Sequence, residues 1–262
     1  MTLLESMLIG VSAILFVLLA FCVKHLAHYR LRLRNDPLLF KWPIAQVAPE
    51  DITERMAEGP FGAKLEAEVS IIPAYQAYAS LNELETVLLA NLAKDSERAF
   101  ELGTASGRTT YIIASNMRAT GHVTTITLSR EQALSYVGES GDAKADSGHA
   151  VEESQFETFL YSGTPMENRI TQLFGDSKTF DEGPYQGAFD LIFVDGSHAY
   201  SYVMHDSLMC QRMLAPGGIM VWHDYKGRRE VPGTYRCLNE LNASGWDLKH
   251  VLGTSFVTWR KN

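Results

Sequence analysis

Cysteine is scarce in this chain of 262 residues: Cys22, Cys210 and Cys237 are the full set, and no C-x-x-C spacing links them. That excludes a disulfide framework and a cysteine-built zinc site, and reduced thiols in a cytosolic setting are the plain reading. Positive charge is short as well. Lys and Arg number 23 against 31 Asp and Glu, a net charge of −8, so the chain lacks the basic field that a nucleic-acid partner needs. Internal repeats and low-complexity tracts are absent too. What is present is an ordinary globular composition, 46% hydrophobic and 21% charged, enough for one large α/β domain with an appendage.

The appendage is N-terminal. Over 7–23 every residue is apolar or small, and adding 3–6 gives a run of about 20 residues, or ~30 Å of helix, the depth of a bilayer core. Glu5 precedes the run, while Lys24, Arg30, Arg32 and Arg34 follow it, the reverse of the charge order in a secretory signal peptide. This pattern predicts a single transmembrane anchor over 1–24 in the inner, cytoplasmic membrane. By the positive-inside rule the catalytic part then faces the cytoplasm. Residues 25–79 read as a basic juxtamembrane and linker segment, cut by Pro37, Pro43, Pro49 and Pro60, with a short helix over 50–58. Ser80 and Glu83 have capping-box spacing at the head of an apolar-periodic stretch to Lys94, which predicts a helix there.

From there the pattern alternates strand and helix, as a parallel sheet covered on both faces requires. Strands are expected near 98–102, 122–128, 170–174, 189–195 and 218–223, and a helix over 107–117. The segments 247–252 and 255–260 flank Gly253-Thr254 as an antiparallel closing hairpin. Four motifs fall at strand ends, where ligands of such sheets bind. They are E-L-G-T-A-S-G-R-T from Glu101, Gly175-Asp176-Ser177, F-D-L-I-F-V-D-G-S-H over 189–198, and L-A-P-G-G-I-M-V-W-H-D-Y over 214–225. A long insertion over 129–169, rich in Gly, Ser, Asp and Glu in its middle, reads either as a lid or as a solvated excursion.

Together these motifs resemble the class I S-adenosylmethionine-dependent methyltransferases, and more narrowly a bacterial branch with D-G-S-H-x-Y and W-H-D-Y, similar to methyltransferase domain family 24. The resemblance covers 80–262. It is distantly similar to the metal-dependent catechol and caffeoyl-CoA O-methyltransferases as well. It implies a doubly wound, mostly parallel, seven-stranded Rossmann-like α/β sheet with a C-terminal antiparallel hairpin, and S-adenosylmethionine as cofactor. By that resemblance Glu101 organises the glycine loop (Gly103, Thr104, Ala105, Gly107) and the methionine end of the cofactor, while Asp176 and Ser177 meet the adenine. Thr127 stands where relatives place a ribose-gripping acid. A hydroxyl makes one weaker bond there, or Glu131 reaches in instead. Asp195 serves cofactor and chemistry, and Asp195, His223 and Asp224 are the metal candidates. Mg²⁺ prefers oxygen, so a histidine in the set shifts preference toward another divalent ion.

His198, three residues after Asp195, is the candidate general base, since an imidazole with pKa ~6.5 can take a hydroxyl proton near neutrality. The expected activity is O-methylation of a small-molecule, saccharide or lipid-linked hydroxyl, with room for a homo-oligomer. Two other readings stand beside it. One is a two-His, one-carboxylate iron oxygenase built on Asp195 and the histidines; the other is a non-catalytic, membrane-tethered interaction module that keeps the fold.

Overall fold

The computed structural model describes residues 3–32, 42–59, 62–72, 81–136, 138–142, 148 and 151–262. The chain divides into two compact units, 1–43 and 44–262. In the first, helix α1 (Leu3–Arg32) runs for 30 residues. Its described apolar side chains face outward, from 54% exposed at Val11 to 73% at Phe16. The expected membrane span is not supported: among the described residues no helix is long and apolar enough to cross a membrane.

The second unit is built on an eight-stranded sheet. Its strands are β1 (Gln46–Val47), β4 (Arg98–Leu102), β5 (His122–Thr127), β6 (Ile170–Phe174), β7 (Phe189–Val194), β8 (Leu214–Trp222), β9 (Lys249–Val251) and β10 (Val257–Arg260). A separate small hairpin joins β2 (Glu58–Gly59) to β3 (Gly62–Ala63). In space the large sheet runs β1-β9-β10-β8-β7-β4-β5-β6. The pairs among β6, β5, β4, β7 and β8 are parallel, and β10 is antiparallel to both β8 and β9. Seven of these strands answer to the predicted sheet and hairpin. The eighth, β1, is a two-residue edge laid parallel to β9 by a segment expected to be linker.

The helices are α2 (Pro49–Ile52), α3 (Glu83–Lys94), α4 (Arg108–Asn116), α5 (Arg130–Ser135), α6 (Tyr200–Met213) and α7 (Pro232–Ala243). The capping box of α3 is Asn82 with Glu85: each side chain accepts from the other's backbone N–H, at 2.9 and 2.8 Å. Ser80, the expected cap, lies outside the described residues. Leu88, Leu89 and Ala93 of α3 and Ile113 of α4 pack with Leu191, Phe193 and Val221 of the central strands in one core. Leu191, Ile192 and Phe193 are fully buried, as a strand covered on both faces must be. Central strands so enclosed leave only their carboxyl ends open for chemistry.

Candidate active site

The loops that follow β4, β7 and β8 meet at the carboxyl edge of the sheet. Backbone bonds continue the ladder past the strand ends: Asp195 N–H donates to Leu102 O at 2.9 Å, and His223 N–H to Val194 O at 3.1 Å. These bonds set Gly103, Asp195 and His223 side by side. The approach requires glycine at 103, where φ is +94° and a Cβ would lie 2.0 Å from the carbonyl oxygen of Asp195. A second close contact fixes the D-G-S-H loop. The first turn of α7 presses on it at Gly233, where a Cβ would come within 2.1 Å of His198 O.

Beside this junction is a narrow hollow of about 60 Å³, lined by Gly103, Thr127, Asp176, Ser177 and Gly196 from the strand ends. Tyr136, Glu153 and Ser154 of the insertion line its other side. The Tyr136 hydroxyl is 2.7 Å from Ser197 Oγ, and the Tyr202 hydroxyl donates to Asp176 at 2.9 Å. Ligand pockets usually measure ~300–1,000 Å³, so this hollow is small for a ligand.

Under the hollow, Glu101 is fully buried on β4. Its Oε2 accepts from the hydroxyls of Thr110 and of Thr125, the latter at 2.7 Å. Thr125 is in turn 2.7 Å from Thr104 Oγ1, which accepts from Gln172 at 3.2 Å. Glu101 Oε1 is buried and has no hydrogen-bond partner among the described residues. Burial pushes the Glu101 carboxyl up to about 8, and the nearby Asp195 adds to the rise while the two threonines oppose it.

Next to the hollow lies a compact charged cluster. His198 Nε2 is 2.7 Å from Asp224 Oδ2. His223 is buried, with Nδ1 at 2.9 Å from Asp195 Oδ1 and 3.3 Å from Asp224 Oδ1, and with Nε2 at 3.6 Å from Glu85 Oε2. Lys226 Nζ forms an ion pair with Asp224 Oδ1. Asp224 takes left-handed backbone at φ +64°, an uncommon and costly conformation for a residue with a Cβ. Burial works against the charged form of both histidines. For His198 the bond to Asp224 and the charges of Asp224, Asp195 and Glu153 outweigh it, and the pKa is raised. For His223 the charges of Asp195 and Asp224 outweigh it further, and the ring stays protonated well above the ordinary histidine range. Glu85 shows the opposite balance: burial acts to raise its pKa, but His223 and the N–H groups of Ser255 and Asn82 bring it down to about 2.

Residues 100–225 match the methyltransferase domain family. They form a methyltransferase domain of the class I, S-adenosylmethionine-dependent kind. No curated protein matches the sequence. Among solved structures, the O-methyltransferase TomG from Streptomyces achromogenes, in complex with SAM, is 18% identical over 70% of this chain and 82% of its own, with a TM-score of 0.46. The SAH-bound methyltransferase PaMTH1 of Podospora anserina is 18% identical over 71% of this chain and 80% of its own, with a TM-score of 0.46. An O-methyltransferase from Bacillus cereus, in complex with SAH, is 15% identical over 67% and 78%, with a TM-score of 0.43.

Within the methyltransferase domain the expected site residues divide into two sets. Gly103, Thr127, Asp176 and Ser177 line the hollow, whereas Glu101 and Thr104 are turned into the layer beneath it. Ala105 and Gly107 keep the loop in left-handed turns, at φ +42° and +76°. Glu131 is exposed and is not among the residues lining the hollow. Donor atoms of Asp195, His198 and Asp224 lie within 4.8 Å of one another. His223 Nδ1 also approaches Asp195 and Asp224, while its Nε2 faces Glu85. The match to a methyltransferase domain does not favour the iron-oxygenase reading. Glu85, Glu153 and Lys226 were missed by the sequence reading. Glu85 sits at the head of a helix far away in sequence, and Glu153 lies within a variable-looking insertion. Only Lys226, two residues past the W-H-D-Y aspartate, carried a signal by proximity.

Proposed function

We propose that this methyltransferase domain transfers a methyl group to a hydroxyl oxygen of a small-molecule, saccharide or lipid-linked acceptor. The observation that carries this reading is the His198–Asp224 pair at 2.7 Å, with His198 following directly on Gly196 and Ser197, which line the glycine-walled hollow. When bound, S-adenosylmethionine supplies an electrophilic methyl group on a sulfonium. Two features suit that cofactor: a hollow walled by Gly103, Gly175 and Gly196, and, in the layer beneath it, the buried Glu101 Oε1, which has no partner among the described residues. Asp176 and Thr127 would hold its nucleoside, and Glu101 with the 103–107 loop its methionine end.

His198 takes the proton of the acceptor hydroxyl. Asp224 orients the ring and stabilises the imidazolium that results, a division of labour that calls for a buried, permanently ionised carboxylate. Burial acts to raise the pKa of Asp224, but His223, His198 and Lys226 hold it well below the usual carboxylate range. A divalent ion would need Asp195, His198 and Asp224 released from their present partners. As they stand, these residues do not fit one.

The insertion acts as a lid in this reading. Glu153 and Ser154 stand against the hollow, and they withdraw when the nucleoside enters. The outward apolar surface of α1 supports attachment to the inner membrane, with the basic residues after it on the cytoplasmic side. Retention of the full chain with membranes after a carbonate wash tests that attachment, and release would count against it. For the chemistry, lipid and saccharide extracts are incubated with the protein and methyl-labelled cofactor. The reading expects a labelled product that is lost with His198→Ala.

A further inference from the structure

The charged cluster contains more cations than a general base requires. Asp224 accepts from His198 through Oδ2 and is ion-paired to Lys226 through Oδ1, while Asp195 Oδ1 is held by His223. Each carboxylate that would coordinate a divalent ion is thus already matched by a cation or a donor of the chain itself. A divalent ion would also stand within a few ångströms of the Lys226 ammonium, and like charges repel strongly in such a partly desolvated place. We propose that Lys226 takes the place of a divalent metal in this methyltransferase domain, so that its ammonium, through Asp224, does the charge-balancing for which an ion would otherwise be needed.

Lys226 is a positioning residue in this scheme. Its Nζ neutralises one oxygen of Asp224, and the other oxygen keeps its bond to His198. The ammonium is attached to the loop by a flexible stem with a side chain 37% exposed, so it can stay on Asp224 while an acceptor enters. The assignment narrows the acceptor class. Without a chelated ion, the acceptor has no need of two adjacent oxygens, and an isolated hydroxyl is sufficient. This narrowing rests on the O-methylation reading above; the assignment of the cation does not.

The test is a titration of the chelator-stripped, full-length protein with MnCl₂ alone, followed by electron paramagnetic resonance of free Mn²⁺. Wild type is expected to show no saturable binding below ~1 mM, and Lys226→Gln to bind at least about tenfold tighter, because removal of the ammonium unmasks Asp224. Lys226→Arg, which keeps the charge, is expected to behave as wild type. Saturable Mn²⁺ binding by wild type in the micromolar range overturns the proposal, and so does a Lys226→Gln protein that is folded yet binds no better than wild type. Should Lys226→Gln fail to fold, the wild-type titration decides the matter by itself. A failure to bind S-adenosylmethionine in the same preparation would count against the methyltransferase reading and leave the Mn²⁺ result standing.

Discussion

His198 Nε2 lies 2.7 Å from Asp224 Oδ2, and Asp224 reaches it from a left-handed backbone position at φ +64°. Backbone strain of this kind persists where surrounding structure over-determines it, and here the Lys226 ion pair, the Lys226 N–H bond to Asp224 O and the Tyr225 N–H bond to Ser255 O do so. The pair has a direct consequence for pH dependence. A base works only when neutral, and the raised pKa of His198 means that turnover should rise with pH through a point above ~6.5. Asp224→Asn removes the bond and the charge, lowers that pKa and moves the acidic limb to lower pH. Turnover should fall by about a hundredfold or more, as loss of a positioned base or its orienter commonly does. A pH–rate profile of both proteins with the acceptor found in the extract assay checks this; coincident acidic limbs would remove His198 from the mechanism.

Gly103→Ala is expected to be severe. The added Cβ meets Asp195 O at 2.0 Å, in a conformation disfavoured for any L-residue, and the oxygen belongs to backbone that cannot move aside cheaply. A loss of about 3 kcal/mol is expected from overpacking together with the positive φ. Thermal unfolding should show a lowered Tm, and calorimetry a loss of S-adenosylmethionine binding. A variant with wild-type Tm would mean that the β4 and β7 loops do not pack as described.

Glu101 supplies a prediction in which sign matters. Its carboxyl is raised in the fold to about 8 from an ordinary 4.5, so folding favours the protonated form. The stability this contributes is fully present below pH 4.5 and is lost as pH rises through about 8. Wild type should therefore lose stability across that window, and Glu101→Gln, which cannot ionise, should flatten the loss. Urea unfolding at a series of pH values measures both slopes. Equal slopes would show that Glu101 ionises in the fold as it does in water.

The main sheet was legible because its strands carry strong local signals. The buried run Phe189–Val194 and the β-branched His122–Thr127 announce themselves, and the motifs at their ends fixed where a ligand must lie. What the sequence hid are relationships across long separations. Glu85 meets His223 only after α3 packs against the sheet, and a two-residue strand such as Gln46–Val47 has no periodicity to read. The sequence brought Asp195, His223 and Asp224 together through adjacent strand ends, but not Glu85 on the far side of the His223 ring or the direct bond of His198 to Asp224.

The insertion gives a kinetic prediction. Glu153 is carried into the site by it, and burial, with Asp195 and Asp224 nearby, pushes its carboxyl up to about 8. Replacing both lining residues, Glu153→Gly with Ser154→Gly, should loosen the lid and speed S-adenosylmethionine association several-fold with little change in Tm. Stopped-flow fluorescence measures the rate, and an unchanged rate would mean that the segment does not gate entry.

The most direct test of the account is a calorimetric titration of the folded, full-length protein with S-adenosylmethionine. Saturable binding at one site per chain is expected, weakened by Asp176→Ala and nearly unaffected by His198→Ala. Absence of binding to the wild-type protein, or binding indifferent to Asp176, would contradict the assignment of the glycine-lined hollow as the cofactor site.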